Sequence, residues 1–142
     1  MTKTGKRLLL CMFFAFPLAS ATLLRSGFAL PQDQTIHVVE VTAKRFEYSP
    51  SPIHVKAGSK VQLKITAIDH DHGFKIAALP DSNEPKNKPG LLFASPQDCW
   101  QLKNHETTTI EFSAQTPGTY TFKCCHTCGL GHRGMKGQLF VD

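Results

Sequence analysis

The chain has 142 residues, of which 41% are hydrophobic and 19% charged, and its formal net charge at pH 7 is +5. This length allows one domain with a sizeable core and an additional targeting segment. Four of the 16 basic residues precede residue 30, so the remainder carries 12 basic against 11 acidic residues. No basic stripe remains there that would indicate nucleic-acid binding.

The first 29 residues have the pattern of an export signal. Three basic side chains precede residue 8, and residues 8–24 are uncharged and mostly apolar. The small residues Ala19 and Ala21, and likewise Gly27 and Ala29, have the spacing typical of signal cleavage. We therefore expect residues 1–29 to be a signal peptide and the protein to be exported, periplasmic or otherwise extracytoplasmic. The alternative is an uncleaved membrane anchor through residues 8–24.

Residues 30–142 are expected to form one all-β domain. Residues 35–43 predict a strand with both faces partly covered, residues 53–55 a short strand, and residues 61–67 a half-buried strand with clean alternation. The same period of two recurs in three later apolar pairs, Ile110 with Phe112, Tyr120 with Phe122, and Leu139 with Val141. Short strands separated by Gly- and Pro-containing turns predict a Greek-key β-sandwich.

Residues 78–105 interrupt this pattern. The segment contains four prolines and has no clear period, and it is too long for a simple hairpin. Its apolar patches at 91–93 and 99–102 predict that it packs onto the domain. Two interpretations stay open, a lid or docking surface beside a functional site and a decorated connection.

Potential metal ligands are concentrated in residues 124–135. Cys124 and Cys128 stand four apart, His132 follows after four more residues, and Met135 after three. Thiolate, imidazole and thioether form a soft ligand set, which selects copper. Each residue alone has a plainer explanation, such as a disulfide or core packing, but the joint spacing together with the upstream sequence His72-Gly73-Phe74 favours a metal site.

The spacing Cys-x3-Cys-x3-His-x2-Met resembles the binuclear copper (CuA) loop of cytochrome c oxidase subunit II and nitrous oxide reductase. The resemblance extends to residues 44–50, 56–58 and 117–120, and it implies a cupredoxin fold. It also implies two copper ions bridged by both thiolates, with one histidine on each ion and two weak axial ligands. The implied ligands are His72, Cys124, the His126 backbone carbonyl, Cys128, His132 and Met135.

The same resemblance implies an electron carrier that exchanges electrons with a c-type cytochrome or a terminal oxidase. The sequence contains no paired carboxylates, nucleophile elbow or phosphate loop, so we expect no enzyme activity of its own. Two alternatives remain: a mononuclear blue-copper protein, in which Cys124 has no role, and a copper-delivery protein.

Two neighbouring residues carry further expectations. His70 stands two before His72, so it is either a supporting group or an alternative ligand. Cys125 is expected to point away from the metal and to pair with Cys99 as a disulfide, in keeping with export.

Overall fold

The computed structural model describes residues 35–82 and 88–142. The predicted signal or anchor segment at residues 1–29 lies outside these residues. Within the described ranges, no helix has the length and apolar character needed to cross a membrane.

Ten strands make up the described part of the chain. In chain order they are β1 (Ile36–Lys44), β2 (Glu47–Ser49), β3 (Ile53–Val55), β4 (Lys60–Ala67), β5 (His72–Ile76), β6 (Leu91–Phe93), β7 (Trp100–Leu102), β8 (Thr107–Ala114), β9 (Gly118–Lys123) and β10 (Lys136–Val141). A single 3-10 turn, His132–Gly134, lies between β9 and β10.

The strands form two five-stranded sheets, in the orders β2-β1-β4-β8-β6 and β3-β10-β9-β5-β7. β1 pairs with β4 and β3 with β10 in parallel, whereas the other pairs are antiparallel. The predicted all-β sandwich is therefore confirmed.

The core lies between the two sheets and follows the alternation in the sequence. On β4 every second residue is buried, and one of these residues, Leu63, lies opposite Ile110 of β8. The second sheet contributes Phe74, Tyr120 and Phe122, each almost fully buried. Burying one such side chain stabilises the fold by roughly 1.5–3 kcal/mol. These side chains make the second sheet a firm support for the loop between β9 and β10.

Residues 78–105 contain two strands that the sequence did not predict. β6 pairs with β8 at the edge of the first sheet, and β7 pairs with β5 at the edge of the second. The predicted packing of the apolar patches is confirmed, because Leu91 and Trp100 are buried. The Trp100 ring lies 5.2 Å from Phe93 and 6.2 Å from Phe74, centroid to centroid.

A disulfide joins Cys99 to Cys125, as predicted. It ties the residue before β7 to the loop between β9 and β10. Gly73 of β5 lies directly beneath this connection, where a Cβ atom would stand 2.8 Å from both the Cys125 Sγ atom and the His126 backbone nitrogen. Only glycine therefore lets the loop approach β5 this closely.

Replacing Gly73 with alanine should force these two atoms to move, because neither is the end of a flexible side chain. We expect the free energy of unfolding, measured with urea, to fall by about 2 kcal/mol. Gly134→Ala is the matched control, since a Cβ there meets nothing within 4 Å. Equal stability of the two variants would contradict the proposed close contact.

Candidate metal centre

The loop of residues 124–135 connects the inner strands β9 and β10 of the second sheet. Its base is closed by the Cys124 backbone N–H, which donates to the Met135 carbonyl at 3.0 Å. The 3-10 turn His132–Gly134 then brings the chain back to β10. The sequence folds this way because both flanking strands are anchored by buried side chains at every second position.

Cys124 and Cys128 are free, buried cysteines whose Sγ atoms lie 3.5 Å apart. The Gly73 N–H donates to the Cys124 sulfur at 3.4 Å, and the Cys124 thiol donates to the His126 carbonyl at 3.1 Å. Burial, together with the neighbouring Cys124 sulfur, raises the pKa of the Cys128 thiol to about 11. Without metal, Cys128 is therefore a neutral thiol at pH 7.

Two further soft or borderline donors lie around Cys128. His132 Nδ1 is 3.8 Å from the Cys128 Sγ atom, and Met135 Sδ is 4.0 Å from the same atom. Met135 is completely buried. Donor atoms of Cys124, Cys128 and His132 all lie within 4.8 Å of one another, which is close enough for one metal ion to touch all three.

His72 is completely buried at the start of β5, and its two ring nitrogens differ. Nε2 lies 2.7 Å from the Asp69 Oδ1 atom, whereas Nδ1 is buried without a hydrogen-bond partner. Because a carboxylate only accepts, this arrangement assigns the proton of neutral His72 to Nε2 and leaves a lone pair on Nδ1. An unpartnered buried nitrogen is costly unless a ligand occupies it.

The structure thus brings all six positions expected from the sequence to one end of the sandwich. His72, His70 and Cys128 also offer donor atoms within 4.8 Å of one another. At His126 the backbone carbonyl, and not the side chain, faces Cys124. The arrangement has the soft donors, the free lone pair and the burial that a copper site requires.

Asp69 is a functional residue that the sequence analysis missed. Its carboxylate contacts both histidines, with Oδ1 at 2.7 Å from His72 Nε2 and Oδ2 at 3.0 Å from His70 Nδ1. The Arg45 backbone N–H also donates to Oδ2, at 2.8 Å. The only signal in the sequence was an aspartate three residues before a candidate ligand. A carboxylate in this place fixes the orientation of the imidazole.

His70 connects the β4–β5 loop to residues 124–135. Its Nε2 atom lies 3.0 Å from the Cys128 carbonyl oxygen, while Nδ1 faces Asp69. Its ring is 4.2 Å from that of His72, centroid to centroid. Both ring nitrogens of His70 are thus occupied, whereas His72 retains a free one, so His72 is the better candidate ligand and His70 the supporting group.

Hydrogen bonding controls the ionisation of Asp69. Burial alone would raise its pKa, but hydrogen bonds from His72 and from the backbone N–H groups of Arg45 and His70 lower it to about 2. An unfolded aspartate has a pKa of about 3.9. Because the folded value is the lower one, the carboxylate adds stability above about pH 4 and loses this contribution as the pH falls towards 2.

Asp69→Asn should remove this pH dependence from the metal-free protein. Between pH 5 and pH 2 we expect the original protein to lose about 1 kcal/mol more stability than the variant, a value reduced because Asp69 is partly exposed. Urea unfolding at a series of pH values measures the difference. Asp81→Asn, at an exposed position, is the control. Its curve of stability against pH should run parallel to that of the original protein. Parallel curves for Asp69→Asn as well would contradict the role assigned to this carboxylate.

Comparison with known proteins assigns the chain to a family. The cupredoxin-like domain family matches residues 8–141. Two sequences of cytochrome c oxidase subunit 2 from Thermus thermophilus are each 32% identical over 111 residues, or 78% of this chain. The match covers 67% of one relative and 54% of the other, so the chain spans from about half to two thirds of their length.

Solved structures show the same fold. The periplasmic domain of subunit II of cytochrome oxidase from Bradyrhizobium japonicum aligns with a TM-score of 0.56 at 13% identity, covering 75% of this chain and 83% of that one. Auracyanin A, a blue copper protein from Chloroflexus aurantiacus, aligns with a TM-score of 0.54 at 21% identity, covering 76% and 100%. The chain belongs to the cupredoxin-like family and is related in sequence to subunit 2 of cytochrome c oxidase.

Proposed function

We propose that the protein is an electron carrier with a pair of copper ions held at the end of the sandwich. The observation that carries this proposal is the pair of free, buried thiols, Cys124 and Cys128, 3.5 Å apart. Two sulfurs at this separation can both contact two metal ions. Cys124 and Cys128 would hold the copper, and the bound metal would supply one-electron transfer.

The remaining donors would divide between the two ions. His72 would contribute its unpartnered Nδ1 atom from β5, and His132 would contribute Nδ1, which lies 3.8 Å from the Cys128 Sγ atom. Met135 Sδ and the His126 carbonyl are the weaker donors, one beside each thiol. The chain's own contribution is to orient these donors and to exclude water, since Cys124, Cys128, Met135 and His72 are all buried. Such a site has no evident open position for a substrate, which favours electron transfer over catalysis.

A mononuclear blue-copper site is the second candidate. Cys128 lies within 4.0 Å of both His132 and Met135 and shares a donor cluster with His72, so these four residues could hold one ion. Cys124 distinguishes the two proposals, because it would be a spare thiol in the mononuclear site. A copper-delivery function is disfavoured by the burial of the donors, which suits retention of the metal better than its release.

The likeness to an oxidase subunit supports a terminal oxidase or a c-type cytochrome as the redox partner. The Cys99–Cys125 disulfide supports an extracytoplasmic location, because such bonds persist in oxidising compartments. We therefore propose residues 30–142 as the exported copper domain and residues 1–29 as its signal peptide, with attachment through residues 8–24 as the alternative.

Cys124→Ser tests the number of metal ions. Serine has nearly the same shape but is a poor ligand for copper, so the variant should bind one copper or none where the original protein binds two. Copper counting on reconstituted, desalted protein measures this. Binding of two ions by the variant would overturn the binuclear proposal, and binding of one ion by both proteins would favour the blue-copper site.

Met135→Leu should act differently, because an axial thioether adjusts the reduction potential more than it holds the metal. We expect the copper content to be unchanged and the potential, measured by redox titration, to shift. Leucine preserves the volume of this fully buried side chain, so the fold should be maintained. Complete loss of copper would show that Met135 holds the metal and does not merely tune it.

A further inference from the structure

Three lysines stand side by side across the second sheet, next to the metal centre. Lys75 of β5 is directly opposite Lys123 of β9, and Lys123 is directly opposite Lys136 of β10. All three are exposed, while the residues on either side of them in each strand face the core. Side chains directly opposite on antiparallel strands stand about 5 Å apart. The three residues, called the lysine row below, therefore form one continuous cationic strip.

Among residues 35–82 and 88–142, the lysine row has no counter-ion. In the described part of the chain, no carboxylate lies within 4.0 Å of any of the three ammonium groups, whereas Lys44 and Lys103 are paired with Glu47 and Asp71. Like charges directly opposite on neighbouring strands destabilise a sheet. The fold thus retains an unfavourable cluster that an external anionic surface would neutralise.

The position of the row relates it to the proposed copper site. Lys123 directly precedes Cys124, and Lys136 directly follows Met135. The lysine side chains point to the outer face of the sheet, because those of Cys124 and Met135 are buried on the inner side. A protein bound to the row would therefore lie about one sheet thickness from the metal donors.

We propose that the lysine row is the docking surface for an acidic redox protein, one whose own redox centre is surrounded by aspartate and glutamate. This inference rests on the proposed electron-carrier function. Opposite charges steer such partners together and raise their association rate by 10- to 1000-fold at low ionic strength. The rest of the domain is nearly neutral, so the strip also orients the partner.

The test compares two triple variants that remove the same charge. One replaces Lys75, Lys123 and Lys136 with glutamine, and the control replaces Lys56, Lys60 and Lys64, which lie on or before β4 in the other sheet. Copper-loaded protein is mixed in a stopped-flow instrument with a strongly acidic c-type cytochrome and, separately, with a strongly basic one. Copper content and the visible spectrum are checked first, to show that the site itself is intact.

We expect the lysine-row variant to react with the acidic cytochrome about 10-fold more slowly at low salt, and the control less than about 3-fold more slowly. The difference should vanish at high salt because the charges are screened. Equal slowing by both variants, or no slowing, would overturn the proposal. So would lysine-dependent binding to vesicles containing anionic phospholipid with no effect on the cytochrome reaction.

A binding measurement separates this proposal from the proposed function. The metal-free protein is titrated with the acidic cytochrome and the complex is followed by calorimetry, which requires no copper. Lysine-dependent binding without electron exchange by the loaded protein would support docking and contradict the electron-carrier function. If electron exchange is equally fast with and without the three lysines, the result would support the electron-carrier function and contradict docking at the lysine row.

Discussion

The candidate metal centre is built around the two buried thiols of Cys124 and Cys128. Their sulfur atoms lie 3.5 Å apart in an environment that raises the pKa of Cys128 to about 11. Cys128 is therefore a neutral thiol in the metal-free protein, and a metal ion must displace its proton in order to bind. The fold positions the thiols. The paired strands β9 and β10 bring both ends of the loop together, and the Gly73 N–H donates a hydrogen bond to the Cys124 sulfur.

The site is assembled from two separate parts of the chain, and each has its own support. On one side Asp69 holds His72 by Nε2, so that the buried Nδ1 keeps its lone pair free. On the other side the Cys99–Cys125 disulfide fastens residues 124–135 to the edge of the second sheet. Gly73 lies between these supports, where any side chain would separate them. The Asp69–His72 hydrogen bond and the Cys99–Cys125 disulfide would limit movement of the donor atoms if the charge of a bound metal changed.

Much of this arrangement could be predicted from the sequence. The alternation in β4, β8 and β9 indicated half-buried strands. The spacing of Cys124, Cys128, His132 and Met135 indicated that these side chains lie close together, as they do. β6 and β7 were missed because they lie in residues 78–105, where four prolines and the absence of a clear period hide the short strands. Asp69 was missed because its role depends on the direction of its carboxylate in three dimensions, and the lysine row because cross-strand register depends on pairings between distant parts of the chain.

We propose that both sulfurs hold the same pair of copper ions. The electron paramagnetic resonance spectrum of the copper-reconstituted protein, recorded together with its copper content, tests this proposal. We expect two coppers per chain and a hyperfine pattern from one unpaired electron shared equally by two copper nuclei. One copper per chain, with the hyperfine pattern of a single nucleus, would contradict it.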